Sequence, residues 1–300
     1  MRRIGTSNIW AAVLAITAIL VATASPAFAG GSEPPAAQYP IIIGHGFGGG
    51  LGSGEGFGRI PAALREDGHS VFITKVSAFG THEVRGEQMI DQVEEILAIS
   101  GKAKVNLIGH SAGGQDVRYA AHVLGASKVA SVTTLGTAHR GNLSSELIML
   151  VLDGDPTGIT PALADAFFDL FGLPALNEGE PMPQDFVNAM RGFTRASMHT
   201  WNEVITNAPG VYYQSYGGTR LINNLLDPAD LALAVTGIIY GFEPNDGLTP
   251  LWSSGWGNER NLRLKANHMD LIDQTSGMTG DFSAPGLFKD IARDLQKRGY

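Results

Sequence analysis

The chain has no cysteine, so no disulfide holds it together. It is short of positive charge, with 21 Lys and Arg against 29 Asp and Glu and a formal net charge of −8. That balance disfavours nucleic acid and anionic lipid head groups as partners. No linker rich in Pro, Ser or Gly divides the 300 residues, and neither an internal repeat nor a low-complexity tract is seen, so a single large domain is expected. Apolar runs of membrane-spanning length are also scarce. The one to consider is "IWAAVLAITAILVATA" (Ile9–Ala24), preceded by a basic head at Arg2 and Arg3 and followed by "SPAFAG". It is short for a span of roughly 20 residues, and Ala27 and Ala29 stand as in an A-x-A cleavage site. Residues 1–29 therefore read as a removable signal peptide, not a retained anchor.

Cleavage near Gly30 would remove two positive charges and no negative one, taking the net charge from −8 to −10. The mature product, residues 30–300, is expected outside the cell as a secreted protein. Lacking disulfides, it must draw stability from a large core, from oligomerisation or from a bound metal.

What the sequence does contain is an alternation of short β-branched runs with helical stretches, the pattern of a mostly parallel sheet with helices on both faces. "YPIIIGHG" (Tyr39–Gly46) reads as a strand ending in a glycine loop, "SVFITKV" (Ser70–Val76) as a second strand, "KVNLIG" from Lys104 as a third and "SVTTLGT" (Ser131–Thr137) as a fourth. "GVYYQSYGG" (Gly210–Gly218) and "NLRLK" (Asn261–Lys265) follow later. Met89, Val93, Ile96 and Leu97 take helical spacing within Glu83–Ser100, and Gly286–Arg298 closes the chain as an amphipathic helix. Between Gly141 and Pro183 the alternation stops. That insertion holds "SSELIMLVL" and "PALADAFFDLFGL", with Leu163, Phe167, Leu170 and Phe171 on one helical face.

The third strand runs into Gly109-His110-Ser111-Ala112-Gly113, a G-x-S-x-G motif followed by the helix-compatible "GQDVRYAAHVLG". A serine nucleophile must project beyond the sheet edge, and an abrupt strand-to-helix turn achieves this where the flanking residues are small. A serine that merely caps the helix would look the same in isolation; the strand on one side and helix on the other favour the nucleophile.

Serine at its free pKa needs a base, and the base needs an orienting carboxylate. In α/β-hydrolases the chain order is Ser, acid, His. Four histidines follow Ser111: His122, His139, His199 and His268. His122 falls in the helix after the turn, His139 follows the next strand too closely, and His199 sits in the helical pattern "FTRASMHTWNEV". His268, in "KANHMD" after the last strand, is the expected base. Asp246, in the turn "EPNDGLTP", is the expected acid, with Asp227 and Asp230 as rivals. The oxyanion hole would take one backbone N–H from Ala112 and another from Phe47 in "GHGFGGG", where glycine density permits close backbone approach. That loop lacks the Lys-Ser/Thr of a phosphate-binding P-loop and the spacing of a dinucleotide fingerprint.

Taken together these segments resemble the bacterial family I true lipases, the Pseudomonas–Burkholderia type of triacylglycerol lipase with an α/β-hydrolase fold. The resemblance is strongest in "EVRGEQMIDQVEEILAISGKAKVNLIGHSAGG", and "YPIIIGHGF", "LGTAHRGN", "LLDPAD", "NDGL" and "NHMDLIDQ" extend it from about Tyr39 to the last helix. It implies Ser111, Asp246 and His268 as the triad, and Phe47 and Ala112 as oxyanion donors. It also implies one structural Ca²⁺ held by the carboxylates of Asp227 and Asp270 and the carbonyl oxygens of Gln274 and Met278, hard donors that suit this ion. The 141–183 insertion would be the lid, a lipid or ester at an oil–water interface the substrate, and a dedicated foldase a partner. The chain departs from the family in having Ala112 where histidine or glutamine usually follows the nucleophile, and in lacking the disulfide that many members carry. Other readings are a short-chain or polyester carboxylesterase, or a non-catalytic lipid-binding protein on a hydrolase scaffold; every part of the catalytic set is present, against the last.

Overall fold

The computed structural model describes residues 36–49, 56–154, 182 and 184–300. The signal-peptide reading of residues 1–29 and most of the insertion, including Leu163, Phe167, Leu170 and Phe171, lie outside these described residues.

Six strands form one sheet: β1 (Ile41–Gly44), β2 (Val71–Ile73), β3 (Val105–His110), β4 (Val129–Leu135), β5 (Tyr212–Gly218) and β6 (Asn258–Leu264). Their order across the sheet is β2-β1-β3-β4-β5-β6, and every pairing is parallel. The inner strands β1, β3 and β4 are buried along their whole length, as their β-branched, charge-free sequences demand. The edge strand β6 is mostly polar and charged and is largely exposed.

Successive side chains of β1 point to opposite faces, and the core divides accordingly. Ile41 and Ile43 pack with Ile60 and Leu64 of α1 (Ile60–Glu66) and with Phe288, Ile291 and Leu295 of the C-terminal helix Ala284–Lys297. Ile42 packs on the other face with Met89 and Val93 of α2 (His82–Ser100) and Val117, Ala120 and Ala121 of α3 (Gly113–Lys128). Thr81 caps the start of α2 by accepting from Val84 N, and Gly101, at φ 64°, ends it. This is the doubly covered parallel sheet read from the alternation, and the bounds of Glu83–Ser100 and Gly286–Arg298 fall within two residues of those of the observed helices.

The described start of the insertion is helical: α4 spans Leu143–Asp153, capped by Asn142. After it come α5 (Phe186–Gly192), α6 (Arg195–Val204) and α7 (Pro228–Gly237). Parallel strands bring their C-terminal ends to one edge, where ligand sites of open α/β sheets gather. There the loops after β1, β3 and β4 meet the segments holding Asp246 and His268.

Candidate active site

β3 ends at His110, and the next residue turns the chain. Ser111 has φ 55°, a left-handed conformation that a non-glycine residue adopts only under constraint. Its N–H donates to Leu135 O of β4 at 2.9 Å, and its carbonyl accepts from Gly114 N and the Thr137 hydroxyl, both at 3.0 Å. The motif glycines are sterically required. A Cβ on Gly109 would stand 2.2 Å from Gly113 O, and one on Gly113 would stand 2.4 Å from Gly44 O at the end of β1. The turn therefore packs β3, α3 and β1 backbone to backbone, leaving the serine at its apex.

His268 and Asp246 form a buried pair. His268 Nδ1 lies 2.9 Å from Asp246 Oδ2, with side chains 3% and 0% exposed. The other carboxylate oxygen accepts from Leu248 N (3.0 Å) and Thr249 N (2.6 Å), and the Thr249 hydroxyl donates to Gly136 O at 2.9 Å. The main chains join as well, His268 N donating to Asp246 O at 2.8 Å. Since a carboxylate only accepts, the ring carries its proton on Nδ1. Ser111, His268, Phe47 and Gly46 line one cavity, along with apolar Ile148, Met190, Phe193 and Leu248.

The competing histidines go elsewhere. His122 bonds the Thr206 carbonyl, His139 is buried between Arg118 and Thr134, and exposed His199 on α6 faces Glu203. Asp227 and Asp230, the rivals for the acid, belong to a different cluster described below.

Sequence reasoning did not identify what supports the loop after β1, the expected source of an oxyanion donor. Arg85 on α2, wholly buried, grips Asp116 of α3 with its Nε and Nη2, at 2.6 Å in the closest contact. It also donates to His45 O at 2.7 Å and Ser77 O at 2.5 Å, and lies over the Phe47 ring at 5.5 Å. Burial pushes the Asp116 carboxyl up, against the pull of the arginine. His45 accepts from Val76 N through Nε2 and donates from Nδ1 to Gly46 O; burial first, then Arg85, lowers its pKa to about 4, so it stays neutral. Arg85 does carry a sequence signal: it stands four residues before Met89 on the stripe that α2 buries.

Of the implied calcium ligands, Asp227 caps α7 and Asp270 lies in the turn after His268. Asp270 accepts from Asn267 N at 2.9 Å and from the Asn223 amide, and Asp230 accepts from Asn223 N, Asn224 N and the Asn267 amide. Burial, with the negative charges of Asp230 and Asp227, raises Asp270 to about 6. The Asn223 side-chain oxygen is buried without a hydrogen-bond partner. Clustered buried carboxylates beside an unsatisfied amide oxygen suit a hard cation. Gln274 opens the short helical turn Gln274–Gly277 and Met278 follows it, and the Gln274 amide donates to Gly56 O. Among the described residues no group of three or more His, Cys, Asp or Glu is arranged to hold a metal, so a cation here would depend on carbonyl donors as well.

Comparison with known proteins agrees with this fold. A family model described as alpha/beta hydrolase fold matches residues 39–226. A triacylglycerol lipase of Vibrio cholerae serotype O1 is 34% identical, the match covering 87% of this chain and 89% of that protein. One from Burkholderia plantarii is 32% identical, covering 89% and 88%. Among solved structures, the mature lipase BlEst2 of Bacillus licheniformis superposes with a TM-score of 0.62 at 21% identity, covering 86% of this chain and 94% of that one, which speaks for the fold. The chain belongs to the alpha/beta hydrolase family, with triacylglycerol lipases as its relatives.

Proposed function

We propose that this chain is a secreted triacylglycerol lipase that cleaves acylglycerol esters through a Ser111–His268–Asp246 triad. The observation that carries the reading is the buried Asp246–His268 pair in the same cavity as a serine held at positive φ. With Nδ1 committed to the carboxylate, Nε2 is the nitrogen free to take the Ser111 proton as Oγ attacks the ester carbonyl. The tetrahedral oxyanion is met by the N–H groups of Phe47 and Ala112, each donor worth on the order of 10²–10³ in rate. His268 then protonates the leaving alcohol, and water repeats the sequence on the acyl-enzyme.

A lipid substrate is supported by what surrounds the cavity. Ser144, Ser145 and Ile148 of α4 line it, while Leu147, Leu150 and Val151 of the same helix are exposed. Ser144 meets Tyr240 at 3.3 Å, next to exposed Ile238 and Phe242 and the exposed Leu231 and Val235 of α7. Exposed apolar side chains on these neighbouring elements suit a neutral oil surface. Among the described residues no helix is long and apolar enough to cross a membrane.

The reading includes one calcium ion, held by Asp227 and Asp270 with the carbonyl oxygens of Gln274 and Met278. Its contribution would be structural, neutralising clustered carboxylates and fastening the segment two residues beyond His268. Export by residues 1–29, and a foldase that assists folding after export, belong to the same proposal. The deciding experiment is hydrolysis of triglycerides from short to long acyl chains, below and above their solubility, with and without a chelator. Long-chain activity that rises when emulsion forms is expected. Activity confined to short soluble esters would instead support the carboxylesterase reading.

A further inference from the structure

The geometry points to His110 as a positioning residue for the general base: its imidazole clamps the His268 main chain to the end of the strand that presents Ser111. The inference rests on the triad reading above and assigns the motif's variable position a task. His110 is the last residue of β3 and is 3% exposed. Its Nε2 lies 2.9 Å from His268 O, a residue 158 positions away in the chain. The two rings stand 4.6 Å apart, inclined at 50°.

A carbonyl oxygen only accepts, so Nε2 of His110 carries the proton and Nδ1 is a bare acceptor. That Nδ1 is buried with no hydrogen-bond partner. If packing were the only demand here, an apolar side chain would avoid stranding a polar atom. The ring is kept because its other nitrogen is used. Burial, then the proximity of His268 and His45, holds its pKa well below the ordinary value, consistent with a neutral donor.

The consequence is a three-point suspension of the base. His268 N donates to Asp246 O, its Nδ1 donates to Asp246 Oδ2, and its carbonyl is held by His110. The first two fix His268 to the acid loop. Of the three, the third ties His268 to β3 itself, while Thr249 braces the acid loop separately to the end of β4, so adjacent residues of one strand end supply the nucleophile and the anchor of its base. Losing the anchor should let the His268 backbone shift and its ring tilt away from Ser111 about the Asp246 bond, while Thr249 keeps the acid in place.

Glutamine and asparagine at this position make the discriminating comparison. The amide of His110→Gln reaches where Nε2 lies, whereas that of His110→Asn ends nearer the position of Nδ1, short of the carbonyl. In the mature chain, His110→Asn and His110→Leu should lower kcat on a soluble p-nitrophenyl ester by roughly 10²-fold, the scale of a small misplacement at a reacting centre. KM should stay within about twofold, and His110→Gln should recover most of kcat. The downfield proton resonance of His268 Nδ1–H should persist in every variant, since the Asp246 bond is untouched. Near wild-type kcat in the asparagine and leucine variants overturns the assignment, as does a glutamine variant as impaired as asparagine. The Asn–Gln pair decides the matter even where leucine impairs folding. A phosphonate ester separates the two levels: label away from Ser111 in the wild type removes the triad reading and this inference with it, whereas label on Ser111 with undiminished kcat removes the clamp alone.

Discussion

At the scale of single residues, the site depends on groups whose alternatives can be ranked. Ser111→Ala removes the hydroxyl at the strained apex, and ester hydrolysis should fall by at least roughly 10⁴-fold, with no covalent phosphonate adduct on mass analysis. Asp246→Asn is the subtler change. The amide keeps the shape of the acid but can offer an N–H to the ring, favouring the tautomer with Nδ1 bare. A loss of about 10⁴-fold in kcat with unchanged thermal stability is expected. Comparable activity in that variant would mean that Asp246 does not orient the base.

Arg85 works at a distance from the reacting atoms. Arg85→Met leaves Asp116 buried beside no cation and removes the donor that holds His45 O. Breaking a fully buried pair from one side costs about 3–5 kcal/mol, which urea unfolding would read directly. The double replacement Arg85→Met/Asp116→Leu should recover part of that loss. It should not recover all of it, because the His45 and Ser77 carbonyls still lack their partner.

At the scale of elements, the turn between β3 and α3 is the piece on which the others converge. Its glycines have no spare space, and the obstructing atoms near Gly113 are the Gly44 and His45 carbonyls, backbone that cannot swing aside. Gly113→Ala should therefore destabilise the fold by about 3 kcal/mol, as overpacking does, and disturb the loop after β1 simultaneously. A melting temperature equal to wild type would contradict this packing. The acid segment has its own brace: Thr249 binds the Asp246 carboxylate through N–H and Gly136 O through its hydroxyl, joining the loop to the end of β4.

At the scale of the whole molecule, buried titratable groups set the pH range in which the fold survives. His45 and His82 are both lowered from 6.5 to about 4, burial being the larger cause in each. A histidine whose folded pKa is depressed is protonated first in the unfolded chain. Its contribution is complete above about 6.5 and is lost progressively as pH falls toward 4, about 3 kcal/mol for each group. His110 and His139 shift in the same direction. Asp270, raised to about 6, acts oppositely: it favours the folded state as pH drops from 6 toward its unfolded value. The histidines outnumber it, so the melting temperature should decline steadily below pH 6.5. A flat profile from pH 7 to 4 would show these rings to be hydrated. Calcium should reinforce the upper end of the range, because ionised Asp227 and Asp270 bind it best. Adding a chelator at neutral pH should lower the melting temperature, and a chelator without effect would remove the metal from the proposal.

Much of this was present in the sequence because it depends on near neighbours. A buried strand, an abrupt turn and a helix follow one another through Val105–Lys128, and local sterics dictate the small residues around Ser111. Chain order together with loop and turn context then favoured His268 and Asp246 over their rivals, and the structure pairs them. The edge strands were drawn less well: β2 covers Val71–Ile73 within the expected Ser70–Val76, and β6 begins at Asn258, three residues before the expected start. An edge strand pairs on one side only, so its ends answer to that neighbour more than to their own apolar pattern. The bonds of Arg85 with Asp116, His110 with the His268 carbonyl and Asp270 with Asn223 span 31, 158 and 47 positions. No local periodicity encodes such partners. Sequence alone determined the strand-turn-helix and the kinds of side chain it presents, since those follow from propensity and sterics within a few residues. Only the tertiary structure decided which distant groups lock them in place, because burial removes water and leaves each polar atom to find its partner wherever the fold supplies one.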